Sequence, residues 1–141
     1  MNNYDEVENA YLKAFSDINV KENEQIILNS KSTYWSYKFA KNVSGADIKA
    51  HEQIILEFKE KTYCYLFAFN IPRANIKAHE KVILDLKDPD YSFYFARDIS
   101  GANIEEHFKV ILNSGNKFLF DRFIKDVNYK DTKVKEWLFY I

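Results

Sequence analysis

One cysteine, one methionine, two prolines and three glycines are all that this chain of 141 residues holds of those types, and each scarcity excludes something. A lone Cys64 allows no internal disulfide, so a hydrophobic core must hold the fold and a reducing, cytoplasmic setting is the expectation. So little Gly and Pro leaves small room for long irregular loops. Neither sign of charge dominates, since 20 Lys and Arg face 21 Asp and Glu for a formal net charge of −1. That balance argues against a dedicated binder of phosphate backbones, and equally against an acidic mimic of nucleic acid. No apolar run approaches the ~18 residues of a membrane-spanning helix. The acidic start, Met1-Asn-Asn-Tyr-Asp-Glu-Val-Glu8, lacks the apolar centre of a signal peptide. A membrane partner is not expected.

What the chain does hold is a repeat. The segment Asn19-Val-Lys-Glu-Asn-Glu-Gln-Ile-Ile-Leu28 returns as Asp47-Ile-Lys-Ala-His-Glu-Gln-Ile-Ile-Leu56. It returns again as Asn75-Ile-Lys-Ala-His-Glu-Lys-Val-Ile-Leu84 and Asn103-Ile-Glu-Glu-His-Phe-Lys-Val-Ile-Leu112, each copy 28 residues after the last. A fixed period of this length is the mark of a stacked array, in which each unit buries its apolar face only against its neighbours.

Each copy reads as two short helices. Helix A opens at Asn19, Asp47, Asn75 or Asn103, side chains that can accept from free backbone N–H groups at a helix start. Its apolar triplets, Ile26-Ile27-Leu28 and its three equivalents, cover most of the circumference and predict burial on more than one side. Helix B is expected over Tyr34–Val43, Thr62–Ile71, Asp90–Ile99 and Phe118–Val127. There Trp35, Phe39 and Val43 fall at i, i+4 and i+8, as do Tyr63/Phe67/Ile71, Tyr91/Phe95/Ile99 and Leu119/Phe123/Val127. Ala40, Ala68 and Ala96 flank this stripe, as close helix approach demands. Asp88 before Pro89 predicts a capped helix start, and Gly45, Gly101 and Pro72 punctuate the joins.

The ends keep the register. Tyr4–Phe15 reads as a leading half-unit, and Asp131–Tyr140, with Glu136 in register, as a trailing one. The fold class expected is all-α: an α-solenoid of four 28-residue helix-pair repeats (17–44, 45–72, 73–100, 101–128) with a half-repeat at each end (1–16 and 129–141). That makes about ten short helices in a single domain, 1–141.

The stretch Gly45-Ala-Asp-Ile-Lys-Ala-His-Glu52, followed by Tyr91-Ser-Phe-Tyr-Phe-Ala-Arg-Asp-Ile99, resembles short tandem repeats of uncharacterised bacterial and phage proteins. These are similar to the HEAT and TPR class of helix-pair solenoids. The resemblance is architectural, because the 28-residue period matches neither the 34-residue TPR unit nor the longer HEAT unit. It implies recognition of a protein partner. With the Asn-, Lys- and Ile-rich composition of an AT-rich genome, it also implies a phage or mobile-element protein that blocks a host defence complex such as CRISPR–Cas.

Three sets of residues compete for a functional role. His51, His79 and His107 form a column with Asn23, but equivalent positions in stacked repeats lie about one helix spacing (~8–10 Å) apart, too far to share a metal ion. A hydrogen-bonding ladder between copies is the expectation, and no metal or cofactor is implied. Glu24, Glu52 and Glu80 form a second column, replaced by Phe108 in the fourth copy, which suits a structural carboxylate better than an acid–base pair. Cys64 matches Ser36, Ser92 and Phe120 and reads as a buried thiol. With no phosphate loop, zinc signature or nucleophile motif, the chain is not expected to be an enzyme.

The third set is the aromatic and basic residues of helix B that miss the packing stripe: Tyr37, Lys38, Lys41, Tyr65, Phe69, Phe93, Tyr94, Arg97 and Arg122. Tyr, Phe and Arg are favoured at interface cores, so these predict a protein-binding face, with truncation of Tyr65 and Phe93 leaving the fold intact. Basic residues among aromatics can also track a single strand, which makes a helical-repeat nucleic-acid binder the alternative.

Overall fold

The computed structural model describes residues 3–127. Among them are nine α-helices and no strand. They are α1 (Asn3–Phe15), α2 (Val20–Asn29), α3 (Thr33–Asn42), α4 (Ile48–Phe58), α5 (Lys61–Asn70), α6 (Ile76–Leu86), α7 (Pro89–Asp98), α8 (Ile104–Ser114) and α9 (Lys117–Val127). The A helices α2, α4, α6 and α8 begin 28 residues apart, and so do the B helices α3, α5, α7 and α9. The all-α expectation holds, and each B helix starts one residue before its expected boundary. The expected trailing half-unit at 131–140 lies outside the described residues.

By contacts the chain divides into two compact units, Met1–Ala74 and Asn75–Ile141. In the first, α1 packs on α3 and α3 on α5, while α2 touches α4. In the second, α7 packs on α9 and α6 on α8. B helices therefore neighbour B helices and A helices neighbour A helices. The most extensive contacts within each unit are those of α1 with α2, α3 with α4 and α7 with α8, each a B-type helix with the A helix that follows it. The hairpin unit is thus offset by one helix from the repeat as read in sequence.

Local chemistry explains where each helix begins and stops. Asp47, Asn75 and Asn103 accept from the backbone N–H three residues on, at 3.1, 3.2 and 3.3 Å. Asn19 does not: it sits in the left-handed region at φ 45° and makes no side-chain cap. Its neighbour Asn23, which stands where later copies have His, instead donates its amide to the carbonyls of Ile18 and Asn19. Asp88 caps α7 as expected, accepting from Tyr91 N–H at 3.0 Å, and Pro89 opens that helix. The chain turns out of the A helices through Lys31, Lys59, Lys87 and Gly115, at φ 56°, 52°, 52° and 69°. Only the last of these is the residue that such a left-handed turn favours.

The core repeats at the level of single side chains. Ile27, Ile55, Ile83 and Ile111, and Phe39, Phe67, Phe95 and Phe123, are all 0% exposed. Each contributes roughly 1.5–3 kcal/mol of burial. Helix α1 joins this scheme with a shifted register. Asn42 donates to the Tyr11 hydroxyl at 3.1 Å, as Asn70 does to Tyr37 at 2.9 Å. The asparagines are 28 apart but the tyrosines only 26, so α1 aligns with helix B two residues away from the expected position. Asp17 and Asn19, both at positive φ, make the α1–α2 connection tighter than the later ones.

Candidate interaction surface

Side chains of helix B at about 100° per residue divide into an inward stripe and two flanks. One flank holds the column Tyr37, Tyr65, Phe93 and Asp121. Expected to face a partner, two of its members pack instead against the following B helix of the same unit. The Tyr37 ring is buried on α3, with its centroid 5.9 Å from that of Tyr63 on α5 and its hydroxyl bonded to Asn70. Phe93 is fully buried, under the guanidinium carbons of Arg97 (5.1 Å) and Arg122 (5.2 Å). These two rings correct the expected surface, because a following B helix already covers them. Tyr65 is half-buried and stacks on Phe69 at 5.8 Å with an interplanar angle of 7°. On α9, the last described B helix, the column ends in Asp121, exposed and paired with Lys117 at 2.9 Å.

The other flank is the outward face. It carries Tyr34, Lys38 and Lys41 on α3, at i, i+4 and i+7. The equivalents are Thr62/Leu66/Phe69 on α5, Asp90/Tyr94/Arg97 on α7 and Phe118/Arg122/Lys125 on α9. With its shifted register, α1 adds Glu8, Leu12 and Phe15. None of these side chains is buried, and Phe118 is 68% exposed. Of the predicted set, Lys38, Lys41, Phe69, Tyr94, Arg97 and Arg122 belong here. Tyr34, Leu12, Phe15 and Phe118 were missed; the signal that would have found them is their place beside Lys38 in the repeat alignment, once α1 is shifted by two.

Four cations of this face, Lys38, Lys41, Arg97 and Arg122, are held on rings. Lys38 Nζ lies 5.1, 5.3 and 5.4 Å from the centroids of Tyr11, Tyr34 and Trp35. Its pKa is raised, first by a hydrogen bond with Tyr34, against the opposing effect of burial. Lys41 sits over Tyr37 at 5.7 Å. Arg97 covers Phe93 and Tyr94 and donates to both carboxylate oxygens of Asp98, each at 2.7 Å. Arg122 covers Phe93 and Phe118 and reaches Asp126 at 3.3 Å. Cation–ring contacts at exposed sites contribute about 0.5–1 kcal/mol each. Their larger effect is to fix side chains that otherwise lose much rotamer freedom on binding.

The Glu and His columns are buried, and within each unit one Glu–His rung links successive A helices. Glu24 Oε1 accepts from Asp47 N–H at 2.6 Å and meets His51 Nε2 at 3.2 Å. In the second unit, Glu80 Oε1 accepts from Asn103 N–H and meets His107 Nε2 at 3.1 Å. A carboxylate so placed ties one A helix to the N-cap and first turn of the next. With Nε2 donating to Glu, Nδ1 of His51 and His107 is a buried nitrogen without a partner, and each ring stacks on a phenylalanine, Phe39 or Phe95. Burial holds the His51 pKa below its usual value, with Glu24 opposing in part. For Glu80, burial pushes upward but is outweighed by the bonds from His107 and Asn103, so its carboxyl stays below the usual range. Phe108, which replaces Glu in the fourth copy, packs on Phe120 and Phe123.

Among the described residues no three His, Cys, Asp or Glu side chains converge to hold a metal ion. Cys64 is fully buried, and burial, with Glu60 second, pushes its thiol up to about 12. No described helix is long and apolar enough to cross a membrane. Comparison with protein-family models, with curated proteins and with solved structures gives no match. What stands, among the described residues, is an all-helical structure whose helices pack in sequential pairs at a regular spacing.

Proposed function

We propose that this protein is an α-solenoid of helix pairs, similar in kind to HEAT and TPR arrays, that binds a protein partner through the outward face of its B helices. The observation that carries this reading is the set of ring-held cations among exposed apolar side chains on that face. Pre-organised aromatic and guanidinium groups are what interface hot spots are made of. Blocking a host defence complex such as CRISPR–Cas is one concrete version, resting on the resemblance of the repeats and the composition of an AT-rich genome.

The test is affinity purification with the tagged chain at moderate salt, wild type beside Lys41→Ala/Phe69→Ala. Both substituted residues are exposed, so circular dichroism should find the fold unchanged. A partner retained by the wild type and lost by the double variant supports the reading; equal retention removes the outward face from it. Arg97 and Arg122, beside Tyr94 and Phe118, also favour the second reading, a single-strand binder. Affinity for an oligonucleotide that falls steeply with salt selects that alternative.

A further inference from the structure

We infer that the outward face of the unit Met1–Ala74 takes an acidic amphipathic helix of a partner protein, its carboxylates meeting Lys38 and Lys41 and its apolar side chains meeting Leu12, Phe15 and Phe69. This rests on the proposed function and names the chemistry of the partner. On this face α1 contributes Leu12 and Phe15, 52% and 58% exposed, and α5 contributes Phe69, 53% exposed. Between them runs α3 with its two lysines. Apolar flanks with a cationic centre are the complement of a helix with apolar ends and a carboxylate-rich middle.

The dimensions agree. Packed helices lie about 8–10 Å apart, so α1, α3 and α5 together span roughly 16–20 Å. A crossing helix covers that distance in about 11–13 residues at 1.5 Å each, or three to four turns.

Lys38 decides the sign of the partner. Its ammonium already occupies the space among the rings of Tyr11, Tyr34 and Trp35, so an incoming cation would have to displace it. An incoming carboxylate finds the ammonium fixed and loses little side-chain entropy in meeting it. A phosphate backbone fits less well. Leu12, at the centre of the α1 edge, offers no ring for a base to stack on.

The probe is a pair of synthetic, end-blocked helical peptides of about 16 residues, enough to cover the span above. Both carry the same leucines; one has Glu and the other Lys at every remaining charged site. Binding to the full chain is followed by fluorescence anisotropy of the labelled peptide. The acidic peptide should bind at least about tenfold tighter than the basic one. Lys38→Glu/Lys41→Glu should reverse that preference, and Leu12→Ala/Phe69→Ala should weaken the acidic peptide with helicity unchanged. Equal binding, preference for the basic peptide, no binding of the acidic peptide, or its displacement by oligothymidine would each overturn the inference. A natural partner captured through this face but contacting it with a basic or neutral segment overturns this inference alone and leaves the proposed function standing.

Discussion

Glu24→Ala is the substitution that most directly probes how one copy is joined to the next. The carboxylate is 4% exposed, and truncation leaves two donors behind, Asp47 N–H and His51 Nε2–H. His51 is 0% exposed and finds no water, so its donor carries the full desolvation cost of about 1–3 kcal/mol. Asp47 is exposed and can be rehydrated, which limits its share to about 0.5–1.5 kcal/mol. Lys21, paired with the second carboxylate oxygen at 3.4 Å, is itself exposed and adds little. The expected loss is roughly 2–4 kcal/mol, a large part of the ~5–15 kcal/mol of a typical domain. Glu24→Gln keeps an acceptor oxygen and gives up the charge, so about 1 kcal/mol is expected. The assay is urea unfolding read by far-UV circular dichroism and tryptophan fluorescence, completed as a double-mutant cycle with His51→Phe. In the paired variant the ring still packs on Phe39 and the orphaned imidazole donor is gone, so the two losses should fall short of adding by at least about 1 kcal/mol. A loss under about 0.5 kcal/mol for Glu24→Ala, or single effects that simply add, would refute the account of the ladder.

Acid should weaken the fold in two stages. The unfolded chain protonates His51 near 6.5 while burial resists this in the folded state, so stability is full above about 6.5 and falls as pH drops below it; Glu80, held below 4.5, adds a further loss as pH falls below about 4.5. Unfolding midpoints measured from about pH 8 to about pH 3 check this, and His51→Phe should flatten the first stage. Lys59→Gly should stabilise by about 0.5–1 kcal/mol, because relief of a left-handed backbone outweighs the entropy of glycine. Gly115→Ala should cost about 1 kcal/mol from backbone strain alone, since an added Cβ there meets no atom within 4 Å; thermal melts of both variants decide it. Phe93→Ala should cost about 3–5 kcal/mol as a core cavity, whereas Phe69→Ala should stay within about 0.5 kcal/mol; equal effects would contradict the division of helix B into inner and outer flanks. Cys64, with its thiol at about 12, should resist a thiol reagent at neutral pH until urea unfolds the chain.

The period of the helices was legible because the buried positions use the same residue types in every copy. Ile27 and its three equivalents, and Phe39 and its three, mark the inner face before any coordinates are seen. Most caps were legible for a similar reason, since Asp47, Asn75, Asn103 and Asp88 carry their own acceptors. Asn19 defeats that rule because Asn23, four residues on, draws the preceding carbonyls to its amide. The left-handed turns at Lys31, Lys59 and Lys87 were hidden, since only the fourth copy puts glycine there. The shift of α1 escaped notice because fixed-period alignment assumes connections of equal length, and the first is tighter. The candidate face was half legible. A helical wheel gives the angle of Tyr37 and Phe93 from the packing stripe, but not which flank the neighbouring B helix covers.

That ambiguity has a physical resolution that reaches function. A position that must meet the same neighbour in each copy is held to one size and polarity, as Phe39, Phe67, Phe95 and Phe123 are. The flank of Tyr37, Tyr65 and Phe93 is nearly as uniform in sequence, giving way only at exposed Asp121. The outward columns obey no such rule: Tyr34, Thr62, Asp90 and Phe118 share one position, and Lys38, Leu66, Tyr94 and Arg122 the next. Packing within the chain cannot account for residues so unlike one another at sites so alike in geometry. Their differences are free to be matched to something outside the chain. Substituting the outward residues should therefore alter binding while leaving stability nearly unchanged, the reverse of what the inner columns would do.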